Sequence, residues 1–257
     1  LSQLNGANRP FGETRTAVAW NHAVIGPDSH VPALPPGWGE AEGVVLISPQ
    51  MRSEFSGPRF CQYLVRGGEG CRSTGTSPTI QRLVYVLTGT AVLDGNDLHA
   101  DSFVFLPPDD SFELTAGEGT ELLVFEKPYE LIEDTPPPDR MTGTLADAPA
   151  EPFLGDPDAV LATLLPTDAR FDMAVNVFKF QPGAALPLVE THVMEHGLYM
   201  KQGQGVYRLG DQWYPVMAGD TIWMASYCPQ WFVAMGKEPA MYIYYKDVNR
   251  DPLYESI

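Results

Sequence analysis

Positive charge is scarce in this 257-residue chain: 16 Lys and Arg stand against 33 Asp and Glu, a formal net charge of -17. So acidic a surface repels phosphate backbones and anionic lipid, which argues against nucleic acid or a membrane as partner. Long apolar runs are also lacking. No stretch reaches the roughly 18 to 20 apolar residues that span a bilayer, and the opening LSQLNGANRPFGETRT has no apolar signal-peptide core. The chain begins with Leu1, so an upstream leader, and with it the compartment, stays open. Cysteine is sparse. Cys61, Cys71 and Cys228 are too few for a disulfide framework and lack the paired spacing of a zinc knuckle, so they are expected to be reduced and structural.

Turn formers are abundant instead. The 24 Gly and 24 Pro break the chain into short runs rich in Val, Ile, Phe, Tyr and Trp, among them RLVYVLTG (82–89), ELLVFEK (121–127), MAVNVFKF (173–180) and AMYIYYKD (240–247). That punctuation predicts an all-β protein. Helical signal is confined to short pieces such as DPDAVLATLLP (156–166). The segment 131–152 is acidic, Pro-rich and aperiodic, as a linker would be. On either side of it lies a weak repeat, in which Gly89 answers Gly203, Asp101 answers Asp220 and Lys127 answers Lys246. Two copies of one β-barrel unit are therefore expected, over 1–135 and 153–257, joined by a linker at 136–152.

The second copy gathers chemistry. Of only five histidines, His192 and His196 fall close to Glu190, and on one strand all three would share a face. A carboxylate and two imidazoles on one face suggest a metal site. Framing glycines stand at Gly183 and Gly203, and Gln230 follows ten residues after Asp220. With these residues the sequence resembles the cupin superfamily, whose first motif runs G…HxH…E…G and whose second ends in His. Here Glu190 stands at the first His, His196 at the Glu and Gln230 at the last His. The set Glu190, His192, His196 and Gln230 has no thiolate and suits Mn2+, Fe2+, Ni2+ or Zn2+, with positions left open for substrate. At the matching places of the first copy stand Thr76, Pro78, Arg82 and Ser111, so that barrel is expected to bind no metal and to serve packing or assembly. His22, His30 and His99 have no matching partners and read as surface or hydrogen-bonding side chains.

Tyr242, Tyr244 and Lys246 alternate along the last run and so share a face. A lysine among aromatics is costly there unless it is solvated or functional. The combination ETHxxxHGL…GQGVYRLGD…AGDxIWMA…PQW…YKDVNRDPL closely resembles the (S)-ureidoglycine aminohydrolase family, bicupins of purine catabolism. The resemblance covers nearly the whole chain and is densest over 190–252. It implies two tandem cupin barrels of the double-stranded β-helix (jelly-roll) type. It also implies hydrolysis of (S)-ureidoglycine to (S)-ureidoglycolate and ammonia, with Mn2+ held by Glu190, His192, His196 and Gln230. Glu190, Gln230, Tyr242 and Lys246 would face the substrate, and Lys246 or Glu190 would serve as proton relay. Tyr207 is a further candidate for a substrate hydrogen bond. A homo-oligomer, up to an octamer, is implied as well, in the endoplasmic reticulum for plant relatives and the cytoplasm for bacterial ones. Two other readings are an Fe2+ cupin dioxygenase, which uses similar ligands, and a non-catalytic bicupin of the seed-storage type, which should lack ligands in both barrels.

Overall fold

Strands dominate for a local reason: the runs between glycines and prolines are β-branched and aromatic, and most are buried on both faces. The computed structural model describes residues 14–51, 57–75, 77–132 and 135–251. Thr76 thus lies outside the described residues. Among the described residues the one helical element is a 3-10 turn, Pro27–Ser29. None of their helices is long and apolar enough to cross a membrane.

Each barrel pairs a large sheet with a smaller one. In the first, a six-stranded sheet orders Met141–Thr144, Ser102–Leu106, Ile80–Thr88, Glu121–Pro128, Cys61–Arg66 and Glu42–Ile47; the five-stranded partner includes Arg72–Gly75, Phe112–Ala116 and Thr90–Leu93. In the second, an eight-stranded sheet runs Ala17–Val18, His22–Ile25, Thr221–Met224, His196–Gln202, Ala240–Asp247, Met173–Phe180, Asp156–Thr163 and Ala150–Phe153. Facing it are Gln212–Met217, Gln204–Leu209 and Gln230–Met235.

Two sequence expectations give way here. Residues 156–163 form a strand rather than a helix, because pairing with Met173–Phe180 outweighs a weak local propensity. The sheets also cross the expected boundaries. His22–Ile25 pairs with Thr221–Met224 of the second barrel, while Met141–Thr144, inside the expected linker, pairs with Ser102–Leu106 of the first. Each barrel completes its sheet with a strand from sequence that precedes the other.

Alternation divides the apolar side chains among three clusters. Val84, Val86, Leu122 and Val124 fill the first barrel, and Phe178, Phe180, Leu198 and Tyr242 fill the second. The neighbours one residue along, including Tyr85, Leu123, Phe125, Val177, Ile243 and Tyr245, form a third cluster between the barrels. Burying one such side chain contributes about 1.5–3 kcal/mol. The repeat is visible in Gly89 and Gly203, both left-handed (φ 76 and 74), where a Cβ would come 2.7 Å from Cα of Thr120 and of Ala240.

Candidate metal centre

Glu190, His192 and His196 do not share one strand. Glu190 forms an isolated bridge to Gln230, with N–H···O bonds of 2.9 Å in both directions, and 191–195 form a loop; only His196 lies on a strand, which it opens. The chain follows Gln230–Met235 on one sheet and must then cross to the other, which a continuous strand cannot do. Tyr227 N–H donates to the His192 carbonyl at 2.7 Å and holds the crossing loop.

The crossing still brings the expected residues together. Glu190, His192, His196, Gln230, Tyr207, Tyr242, Tyr244 and Lys246 all line one cavity of about 190 Å3 inside the second barrel. His196 is directly opposite Lys246 on one neighbouring strand and Met224 on the other. The Nε2 atoms of His192 and His196 are 3.1 Å apart, and the Gln230 amide lies 2.9 Å from His192 Nε2. Phe153, Leu161, Phe178, Met194, Leu198 and Met224 complete the wall.

Among the described residues no three His, Cys, Asp or Glu side chains are gathered as an ion would require. The imidazole pair nevertheless fits one. Two adjacent donors on an ion with bonds of about 2.1 Å lie about 3 Å apart, close to the His192–His196 spacing. An amide can turn either its O or its N inward. Glu190 supplies a carboxylate to the same cavity, so the donor types suit a divalent ion with open positions.

Burial dominates the electrostatics. It pushes the His196 pKa well below the usual range, helped by His192 and Lys246, and lowers His192, with Lys246 adding to the effect. Both shifts favour the neutral ring, the form of imidazole that can bind a metal ion. Burial raises Glu190 and lowers Lys246, and each partner's charge opposes the other's shift. Burial also raises the phenols of Tyr207, Tyr242 and Tyr244, which therefore stay protonated as donors. Asn176 Nδ2 donates to the Tyr244 oxygen at 3.1 Å.

The first barrel holds a different group at the matching place. Arg82 Nε pairs with Glu126, which also accepts from Tyr63 OH at 2.6 Å, and the guanidinium lies 5.6 Å from the Phe112 ring centroid. Arg82 and Glu126 are opposite each other as His196 and Lys246 are. By that pairing the counterpart of Lys246 is Glu126, not Lys127. Ser111 is exposed and Pro78 lies outside the strands. Of the remaining histidines, His22 is buried between Asn21 Oδ1 (2.9 Å) and Tyr214 OH (2.8 Å), whereas His99 is exposed.

Sequence reasoning missed the apolar wall of the cavity. Phe153 carried no signal because it stands at the very start of the expected second barrel beside the aperiodic segment, and Leu161 because its segment read as helix. Phe178 could have been found from its place in MAVNVFKF beside the YIYY strand.

The comparisons with known proteins agree with this architecture. Residues 176–245 match the cupin domain family. The chain is 41% identical to a probable (S)-ureidoglycine aminohydrolase of Oryza sativa subsp. japonica, over 94% of this chain and 78% of that one. It is 32% identical to the (S)-ureidoglycine aminohydrolase of Escherichia coli K12, over 98% of both. Among solved structures it superposes on protein Ylba from E. coli with a TM-score of 0.79 and 29% identity, covering 93% of this chain and 96% of that one.

Proposed function

The chain belongs to the (S)-ureidoglycine aminohydrolase family of cupins, and from that premise we propose that it hydrolyses (S)-ureidoglycine to (S)-ureidoglycolate and ammonia in purine catabolism. The carbon–amine bond breaks, a carbon–oxygen bond to water forms, and the nitrogen leaves with a proton. The observation that carries the reading at this site is the paired imidazoles, 3.1 Å apart, in a cavity shared with Glu190, Gln230 and Lys246.

Glu190, His192, His196 and Gln230 would hold Mn2+, which when bound supplies a fixed positive charge that anchors the substrate's carboxylate or amine. Lys246 or Glu190, which line the same cavity and whose charges act on each other, would hand a proton to the departing nitrogen. Tyr207, Tyr242 and Tyr244 offer phenol donors that can hold the ureido oxygen. Phe153, Leu161 and Phe178 keep bulk water from that side of the cavity. Anchoring several polar groups on one carbon fixes which face meets the attacking water. Exposed Trp213, Met217 and Met235, on one face of the three-stranded sheet, support assembly into a homo-oligomer.

The test is ammonia release from freshly generated (S)-ureidoglycine by protein stripped of metal and then resupplied with Mn2+. Release above the spontaneous rate, dependent on Mn2+, persisting without oxygen and abolished by His192→Ala, is expected. Background-level release by folded, Mn2+-loaded protein would overturn the proposal, and oxygen uptake in its place would favour an Fe2+ dioxygenase.

A further inference from the structure

The strands that carry His196 and Lys246 have two faces. One turns His196, Leu198, Tyr242, Tyr244 and Lys246 to the cavity. The other, with Gly197 opposite Tyr245, meets the first barrel. There the Phe60 ring stacks on Tyr245, with centroids 4.1 Å apart and planes at 28°. Arg59 stands beside it. Its backbone N–H donates to both carboxylate oxygens of Glu195, at 3.1 and 3.3 Å. Its guanidinium lies 3.4 Å from Glu195 and ion-pairs with Asp247. Glu195 N–H in turn donates to Asp247 Oδ1 at 2.6 Å.

Glu195 immediately precedes His196, and Asp247 immediately follows Lys246. One residue of the first barrel thus ties together the flanks of two opposed residues in the second barrel's cavity. We propose that Arg59 is a positioning residue for the His196–Lys246 pair, acting through Glu195 and Asp247, so that the first barrel serves the chemistry of the second. The inference rests on the metal and substrate roles proposed above. Without the guanidinium, two carboxylates with side chains only 3% and 15% exposed face each other at the strand ends. Their repulsion then opposes the Glu195–Asp247 hydrogen bond, and His196 and Lys246 shift with their neighbours. Partners that orient ligands in this way typically change metal affinity by about ten- to hundredfold.

The experiment compares wild type, Arg59→Met, Arg59→Lys and the control Arg72→Met, which removes an exposed first-barrel pair to Glu113. Mn2+ affinity is measured by titrating metal-free protein and following free Mn2+ by electron paramagnetic resonance. kcat and KM for ammonia release and the melting midpoint are measured in parallel. The Arg59 side chain is 53% exposed, so the variants should fold. Arg59→Met is expected to bind Mn2+ about tenfold more weakly and to lose about ten- to hundredfold in kcat, with KM and the midpoint little changed. Arg59→Lys should recover part of both losses, and Arg72→Met should match wild type. Folded Arg59→Met with wild-type affinity and kcat would overturn the proposal, as would equal losses in Arg72→Met. If Arg59→Met does not fold, Arg59→Lys decides by the same two readouts: weakened values sustain the proposal and wild-type values overturn it. Absence of ammonia release by wild type would sink the functional reading instead, and the Mn2+ titration would still judge Arg59.

Discussion

Adding one methyl group at Gly197 should disturb both the barrel interface and the site behind it. A Cβ there would fall 2.5 Å from Cε2 and Cζ of Phe60 and 2.6 Å from Oε1 of Gln62. Neither neighbour can yield easily, because Phe60 is 1% exposed and stacked on Tyr245, and Gln62 is wholly buried. Gly197 has no left-handed φ, so backbone strain does not complicate the change. Overpacking of this kind costs about 1–3 kcal/mol. At this chain length each kcal/mol lowers the melting midpoint by about 2–4 °C, so Gly197→Ala should lose about 4–8 °C for a 2 kcal/mol cost. Because Gly197 follows His196, Mn2+ affinity should fall as well. Calorimetry on Gly197→Ala, Phe60→Leu and the double variant checks the cause: leucine lacks the two clashing ring atoms, so the pair should be less destabilised than the sum of the singles by about 1 kcal/mol. An unchanged midpoint in Gly197→Ala, or strictly additive effects, would refute the packing argument.

Lys246→Met should keep its fold and lose about 10^2- to 10^4-fold in kcat if Lys246 delivers the proton; near-normal turnover would rule that role out. His22 is buried and its pKa is lowered by that burial, so the folded chain resists its protonation. The unfolded chain takes up this proton near pH 6.5 while the folded chain does not, so its stabilising effect is complete above pH 6.5 and declines as the pH falls. Wild type should therefore lose midpoint relative to His22→Gln by up to about 1.4 kcal/mol per pH unit in that window, and parallel pH profiles would contradict this. Lys127→Met strands Asp172, which is 0% exposed and 3.1 Å from Lys127 Nζ, and should cost about 3–5 kcal/mol in a urea titration. Adding Asp172→Asn should recover most of that loss; no recovery would mean the pair is not what holds this part of the interface.

The barrels and the residues that line the candidate site were legible because they leave short-range signals. Turn residues mark strand ends, framing glycines mark the close crossings at Gly89 and Gly203, and His192, His196 and Gln230 stand at motif spacing. Long-range pairing left no such trace. The strand at 156–163 exists because Met173–Phe180 offers it a ladder, and the placement of 22–25 and 141–144 depends on sheets formed elsewhere in the chain. Arg59, Glu195 and Asp247 were invisible for the same reason: their meaning lies in a contact across 136 and 188 residues. The match of Lys127 to Lys246 erred by one position, and a one-residue slip reverses the face a side chain presents. Lys127 therefore points to the interface and Lys246 to the cavity.

That slip exposes the logic of the interface. Arg59 and Asp172 occupy equivalent places, since Cys61 pairs with Glu126 as Ala174 pairs with Lys246. Lys127 and Asp247 are likewise equivalent, each following the residue opposite Arg82 or His196. The two ion pairs across the interface, Arg59–Asp247 and Lys127–Asp172, are thus related by the repeat, and in both the base comes from the first barrel and the acid from the second. Two identical barrels could not have this polarity. Meeting like with like would set base against base or acid against acid, at a cost in a setting as buried as that of Asp172. The two barrels thus differ in two linked ways: the first holds the Arg82–Glu126 pair where the second holds His196 and Lys246, and their facing charges are complementary. Of the first barrel's two cations, Arg59 meets Glu195 and Asp247, beside His196 and Lys246, whereas Lys127 meets Asp172 at the start of the neighbouring strand Met173–Phe180.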